Sequence, residues 1–509
     1  MRLIKKLPIL VLLISFIVRI SLNLITPSPF YEFDEIIVTH ISRQESKNLL
    51  DSVAAEPHPP GFYFILKLVP TQNVQLLKIL ALIVSFVLIF LVVVFAYRKN
   101  LIERYKLTWG LSFFFSSFTF VNITSRIKQD LITFPILVFI FFTALYLTKE
   151  GKKRNNSVLV IITQLFCIFL MFFGYVAFFQ ALLIVFFITF FINKEKLPKY
   201  LFSLPLIFLI SFLLLFGFNQ FGVVSNRFIW VDDFNNSFLN SLVVHLTGTS
   251  FINGWPDAAV IFFLTLIFIS LVKPPKGLKK MVSPLFVVAI CLTVFSYLAR
   301  LFVRLRYVAF LYLILSILVG WGIEAVKSEN YIKKTRIIYL FLLLFLFSNI
   351  IFNWLGEIQR SKQQIFINSQ LNKFAKEKKV GLLTEHPTAS LVYKLGNNLS
   401  ENVVALNIFF PDLFKKARID RNTLEVEGFY THLDEGQVKS QLAKTKLNDF
   451  YYFLGLRFFP IDQKGESTYY DPERSVFKVL NGSCGVTRVV NANPFSLLFV
   501  FQDCDFGVI

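Results

Sequence analysis

Residues 75–96, QLLKILALIVSFVLIFLVVVFA, decide the fold class. At ~1.5 Å of rise per residue, a helix of this length crosses the ~30 Å hydrocarbon core of a bilayer. Comparable runs lie near 7–26, 107–124, 129–148, 157–174, 175–193, 200–218, 256–272, 281–299, 307–326 and 337–354. They predict an all-α polytopic membrane protein with about eleven transmembrane helices. Phe173-Gly174-Tyr175 is the weakest of the boundaries between them. Of the 509 residues, 55% are hydrophobic and 63 are Phe, more apolar surface than one globular core encloses, so a water-soluble fold is excluded.

The formal net charge is +20. Such an excess would suit nucleic acid, but the Lys and Arg fall in short runs between apolar stretches, as in cytoplasmic loops of membrane proteins, so no nucleic-acid partner is expected. The runs begin with Arg2, Lys5 and Lys6, recur at Arg98-Lys99, at Lys152-Lys153-Arg154 and at Lys194 to Lys199, and end with Lys333, Lys334 and Arg336. Every second loop is basic. With an odd number of helices this sets the N-terminus in the cytoplasm and the chain after Trp354 outside a bacterial plasma membrane. The first helix starts basic but Thr26-Pro27-Ser28-Pro29 holds no small-x-small cleavage site, so it is expected to be retained. Residues 27–74 and 219–255 would form long outer loops.

Beyond about residue 360 charged and apolar residues mix, which predicts two domains, 1–355 in the membrane and 356–509 as a small soluble extracytoplasmic α/β domain. Strands are expected at 379–385, 402–408 and 449–454, and helices at 388–395 and 434–446. This tail holds no Gly-rich phosphate loop, nucleophile elbow or paired carboxylates, so acceptor binding or shielding of the membrane site is its expected work. Cys167 and Cys291 lie in apolar runs and read as buried hydrophobes. Cys484 and Cys504 either close a loop of roughly 20 residues, with ~3 kcal/mol gained on oxidation, or remain two thiols. No C-x-x-C or H-x-x-x-H spacing marks a metal or redox site.

Chemistry-bearing residues crowd the outer face. Tyr31-Glu32-Phe33-Asp34-Glu35 follows the first membrane exit closely, so carboxylates sit at the bilayer surface. A partly desolvated carboxylate there has a raised pKa and accepts a proton from a hydroxyl; the alternative is a solvated acidic loop. The loop ends in Glu56-Pro57-His58-Pro59-Pro60-Gly61, whose prolines either hold His58 out on a rigid extended turn or simply start a helix. In Ser125-Arg126-Ile127-Lys128-Gln129-Asp130, helical spacing puts Arg126 and Asp130 on one side, either as a pair or around a charged headgroup. Arg300, Arg304 and Arg306, followed by Tyr307, break the positive-inside pattern and call for an anion outside. Guanidinium forks match phosphate oxygens; anchoring to anionic lipid is the other reading.

In order and hydropathy, residues 1–355 with Asp34-Glu35, His58-Pro59-Pro60, Arg126 to Asp130 and Arg306-Tyr307 resemble the bacterial GT-C glycosyltransferases related to protein O-mannosyltransferases and aminoarabinose transferases, the family 39-like group. The resemblance implies a polyprenyl-phosphate-linked sugar as donor and an inverting displacement at the anomeric carbon. Asp34 would be general base and Glu35 would orient acceptor or sugar. Glu56, His58, Arg126, Asp130 and Tyr307 would line the substrate site, and Arg300, Arg304 or Arg306 would neutralise the departing phosphate. No cofactor is implied with certainty; a divalent metal, if used, would sit on Asp34 and Glu35. The amphipathic stretch from Ile36 to Ala54 would cover the site along the membrane surface. Two features depart from the pattern: Gly61 stands where a long aliphatic residue is usual, and the tail resembles no catalytic module. The acceptor, whether lipid, polysaccharide or protein, stays open. A transporter or flippase of lipid-linked glycans, or a non-catalytic envelope scaffold, are the rival readings; charges on one face and no internal repeat count against the first.

Overall fold

The computed structural model describes residues 61–69, 74–101, 110–114, 127, 129–149, 156–192, 368–384, 399–406, 434–454, 475–493 and 496–507, with isolated positions elsewhere. The chain divides into two compact units, one of Met1–Leu24 with Pro57–Gly356, the other of Ile25–Glu56 with Glu357–Ile509.

In the first unit the described helices are α1 (Gly61–Leu68), α2 (Val74–Arg98), α3 (Asp130–Lys149), α4 (Asn156–Met171) and α5 (Tyr175–Ile192). α2 to α5 match four of the expected spans, and the weak boundary at Phe173-Gly174-Tyr175 is a real break, because α4 stops at Met171 and α5 starts at Tyr175. α1 begins directly after Pro59-Pro60, as the helix-start reading of those prolines has it; its eight residues are too short for a span. Of the expected span 107–124 only residues 110–114 are described, and they are helical. Within α2 and α3, Leu76–Arg98 and Asp130–Leu147 are long and apolar enough to cross a membrane, whereas Val158–Met171 and Ala177–Ile188 are shorter apolar helices.

Side-chain burial on α2 is that of a helix at the rim of a bundle in lipid. Leu80, Ile83, Val84, Val87, Phe90 and Leu91 are exposed although apolar, while Leu82, Ser85, Ile89, Val92 and Ala96 are buried. An exposed face made of large hydrophobes suits hydrocarbon, not water. α3 is the central helix and packs on α2, α4 and α5. Phe95 of α2 meets Phe139 and Tyr146 of α3 with ring centres 5.5 and 6.2 Å apart, and Lys99 Nζ lies 3.4 Å from the Tyr146 hydroxyl and 4.7 Å from its ring centre. These contacts join the C-terminal ends of both helices, so α2 and α3 run in the same direction, as two spans with one between them must. α4 returns alongside, with Phe139 against Phe166 at 5.3 Å. In α4 the Thr163 hydroxyl donates to the Leu159 carbonyl at 2.8 Å, which removes an unpaired donor from a dry interior.

The second unit is built on a five-stranded sheet in the order β2-β1-β3-β5-β4, where β1 is Val380–Thr384, β2 Val403–Ala405, β3 Phe450–Leu454, β4 Cys484–Asn493 and β5 Ser496–Cys504. β1 pairs in parallel with β2 and β3; β5 runs antiparallel between β3 and β4. Strand alternation sends β3 side chains to opposite faces. Tyr451 joins Leu371, Ala375, Val380, Leu382, Val403, Leu498 and Val500 in one core, below helical residues 368–374. Phe450 and Tyr452 join the other core, under α6 (Glu435–Lys444) and α7 (Ser475–Ser483). The result is an α/β sandwich with helices on both faces.

Local chemistry explains several of these elements. Asp434 caps α6 by accepting from Gln437 N–H at 2.7 Å, and the Gln437 side chain accepts from Asp434 N–H at 3.2 Å, a reciprocal capping box. Gly381 is required in β1, since a Cβ there would lie 2.6 Å from Leu406 and 2.7 Å from Phe450. The antiparallel register puts Cys484 opposite Cys504, and the two are joined as a disulfide. Of the alternatives left open by the sequence, the bonded one holds. The Tyr451 hydroxyl donates to the Leu371 carbonyl at 3.1 Å, and Lys378 lies 2.8 Å from Asp449. Burial, with the Asp449 charge beside it, pushes the Tyr451 phenol well above its ordinary value of 10.0.

Candidate active site

Three pieces of chain meet at one end of the described bundle. The first is the start of α1, immediately after the His58-Pro59-Pro60 sequence. Gly61 N–H donates to the Phe172 carbonyl at 2.8 Å, and a Cβ on Gly61 would lie 2.7 Å from that oxygen and 3.0 Å from the Phe173 ring. Only a residue without a side chain can come this close. The unusual Gly61 after the two prolines therefore has a physical cause, a backbone-to-backbone fit against the turn between α4 and α5. Phe62, Tyr63 and Leu66 anchor α1 by burial.

The second piece is that α4–α5 turn, Phe172-Phe173-Gly174, closed by hydrogen bonds from Phe173 N–H and Gly174 N–H to the Leu170 carbonyl. The third is the first turn of α3, with Thr133 N–H donating to Gln129 at 2.9 Å. A Cβ on Gly174 would be 3.4 Å from the Thr133 side chain. The start of α1, the α4–α5 turn and the first turn of α3 thus share one end of the bundle, opposite the end marked by Lys99 and Tyr146.

Asp130 opens α3 and is half-buried, beside the buried Gln129 and Ile127. Its carboxylate sits where the helix dipole favours negative charge. The remaining candidates, Asp34, Glu35, Glu56, His58, Arg126, Arg300, Arg304, Arg306 and Tyr307, lie outside the described residues. Among the described residues no group of three or more His, Cys, Asp or Glu is placed to hold a metal ion. The two free cysteines, buried Cys167 and half-buried Cys291, are in helical segments.

One charged residue escaped the sequence reading. Lys78, inside the run that decided the fold class, is only 3% exposed, on the same side of α2 as Leu82, Ser85 and Ile89. Hydropathy averaged over a window hides a lone cation in so apolar a run; its position on the helical wheel relative to Ser85 was the available signal.

No protein-family model and no curated protein matches the sequence. Its structure is similar to the crystal structure of ArnT from Cupriavidus metallidurans in the apo state, with a TM-score of 0.58, 10% sequence identity and 97% of each chain covered. It is also similar to that of ArnT bound to undecaprenyl phosphate, with a TM-score of 0.51, 10% identity and 97% of each chain covered. The chain therefore shares the fold of ArnT, in line with the resemblance drawn from its motifs.

Proposed function

We propose that a chain with this fold is an integral membrane glycosyltransferase, moving a sugar from a polyprenyl-phosphate donor to an acceptor hydroxyl in cell-envelope synthesis or modification. The observation that carries the reading is the likeness to ArnT over 97% of both chains, one of the two structures being bound to undecaprenyl phosphate. The outer-face clustering of candidate residues in the sequence supports the same conclusion. About eleven helices, a cytoplasmic N-terminus and an extracytoplasmic domain from 356 to 509 complete the proposed organisation in a bacterial plasma membrane.

In the mechanism Asp34 takes the proton of the acceptor hydroxyl while its oxygen attacks the anomeric carbon. The bond from that carbon to the phosphate oxygen breaks, the lipid phosphate leaves with the electron pair, and the sugar inverts. Arg300, Arg304 or Arg306 neutralises the charge growing on the phosphate, where a fixed cation acts more strongly on the transition state than on the donor. Glu35 orients the sugar or acceptor; Glu56, His58, Arg126, Asp130 and Tyr307 line the site. If a divalent metal takes part, Asp34 and Glu35 hold it.

The experiment is release of polyprenyl phosphate from a panel of polyprenyl-phosphate sugars by the purified full-length protein, with envelope extract as acceptor. Release by the native protein and none by Asp34→Asn, inserted at equal level, is expected. Full turnover in Asp34→Asn would remove Asp34 as base; no release by the native protein would favour a flippase or scaffold.

A further inference from the structure

The sequence predicts that the amphipathic stretch from Ile36 to Ala54 lies along the membrane surface. A helix lying there turns its polar residues to water and its apolar ones to lipid, so protein buries neither. Ser42 is polar, helical and inside that stretch, yet it is only 1% exposed. Protein therefore packs around Ser42.

Size and the division of the chain say which protein does so. Ile25–Glu56 is shorter than the ~40 residues below which a chain rarely builds a core of its own, so the cover comes from elsewhere. The segment belongs to one compact unit with Glu357–Ile509, whereas its flanks, Met1–Leu24 and Pro57–Gly356, form the other. The chain thus leaves the first unit after Leu24 and returns to it at Pro57. Asp34 and Glu35 lie within that excursion.

The second unit is built to hold such a segment still. Its sheet has a packed core on each face, and its last hairpin is closed by the Cys484–Cys504 disulfide. A carboxylate on a free loop samples many positions, while one built into a folded body keeps its geometry.

We propose that the first outer loop folds as part of the C-terminal unit, and that this unit is the positioning body for Asp34 and Glu35. The inference rests on the transferase reading above. It gives the C-terminal sheet a task other than acceptor binding or shielding, since the sheet acts through the loop it holds.

The test follows hydrogen exchange of the full-length protein in nanodiscs through a urea series. Peptides from 27–56 should lose protection at the same urea concentration as β1 to β5. Both should move together to lower urea when Cys484→Ser and Cys504→Ser are combined, with α2 to α5 unmoved. Ser42→Trp, which forces a large ring into a filled place, should move the sheet in the same direction and serves if the paired Ser variant does not fold. A loop that opens with α2 to α5, or that stays protected while the sheet opens, overturns the inference. Turnover reads the positioning. At a urea concentration that opens the sheet of the variant and not of the native protein, release of polyprenyl phosphate should fall about tenfold or more in kcat, with donor KM unchanged. Native kcat in a variant whose loop and sheet have both opened removes the positioning role. If the native protein releases no polyprenyl phosphate without urea, the transferase reading fails, and the exchange result still decides whether loop and sheet are one body.

Discussion

Gly61 has no room for even one methyl group, because the Phe172 oxygen occupies the space where it would go. Gly61→Ala must open the contact between α1 and the α4–α5 turn, an overpacking that costs about 1–3 kcal/mol. The expected result is a lower melting temperature of the purified protein; an unchanged one would mean that α1 is not fixed by this contact. Tyr451 presents the opposite case, a polar atom held inside. Tyr451→Phe removes its hydrogen bond to Leu371, while that carbonyl keeps the bond from Ala375 N–H, so the loss should be about 1 kcal/mol. Because the folded phenol holds its proton above its ordinary value of 10.0, the folded state binds more protons than the unfolded above that pH. Stability is then fully present below pH ~10 and declines as pH rises beyond it. Hydrogen exchange of β1 and β3 amides should show this alkaline loss in the native chain and less of it in Tyr451→Phe.

At the scale of elements, the disulfide between Cys484 and Cys504 joins the open end of the β4–β5 hairpin. Replacing both cysteines by Ser should cost ~3 kcal/mol by the chain-entropy account, read as earlier protection loss in β4 and β5 during denaturant-dependent exchange. Legibility differed sharply among elements. The strands expected at 379–385, 402–408 and 449–454 contain β1, β2 and β3, since each is a short apolar run between polar breaks. The helix expected at 434–446 is α6, announced by Asp434 and Gln437 at capping-box spacing. The hairpin was missed, because Ser-Leu-Leu-Phe-Val-Phe in β5 lacks alternation: Leu498 and Val500 face one core and Phe501 the other. α1 was legible only as one of two readings of the prolines, because burial of Phe62, Tyr63 and Leu66, not local propensity, holds so short a piece.

At the scale of the whole molecule, the bundle has two chemically distinct ends, one with Lys99 and Tyr146, the other with Gly61 and Gly174. In the proposed topology, which follows loop charge, the Lys99 end faces the cytoplasm. With Cys167 and Cys291 replaced, Lys99→Cys should react with an impermeant maleimide only in inverted vesicles and Leu68→Cys, at a residue 81% exposed, only in intact spheroplasts. The reverse pattern would invert the topology. Spans were legible because hydrocarbon demands unbroken apolar length; the site was legible only as residue types at one face, since hydropathy carries no information on which helices touch.

β5 lies inside its sheet, between β3 and β4, yet it is the latest of the five strands in chain order. During biosynthesis, β1, β2 and β3 emerge with one edge of β3 unpaired, and among the described residues it is β5, from residue 496, that pairs with it. In the proposed topology the unit would cross the membrane with that strand edge bare, the kind of surface that export chaperones recognise and that invites mispairing. Folding of this unit would then be timed by arrival of its final hairpin and not by the speed of its local pairings.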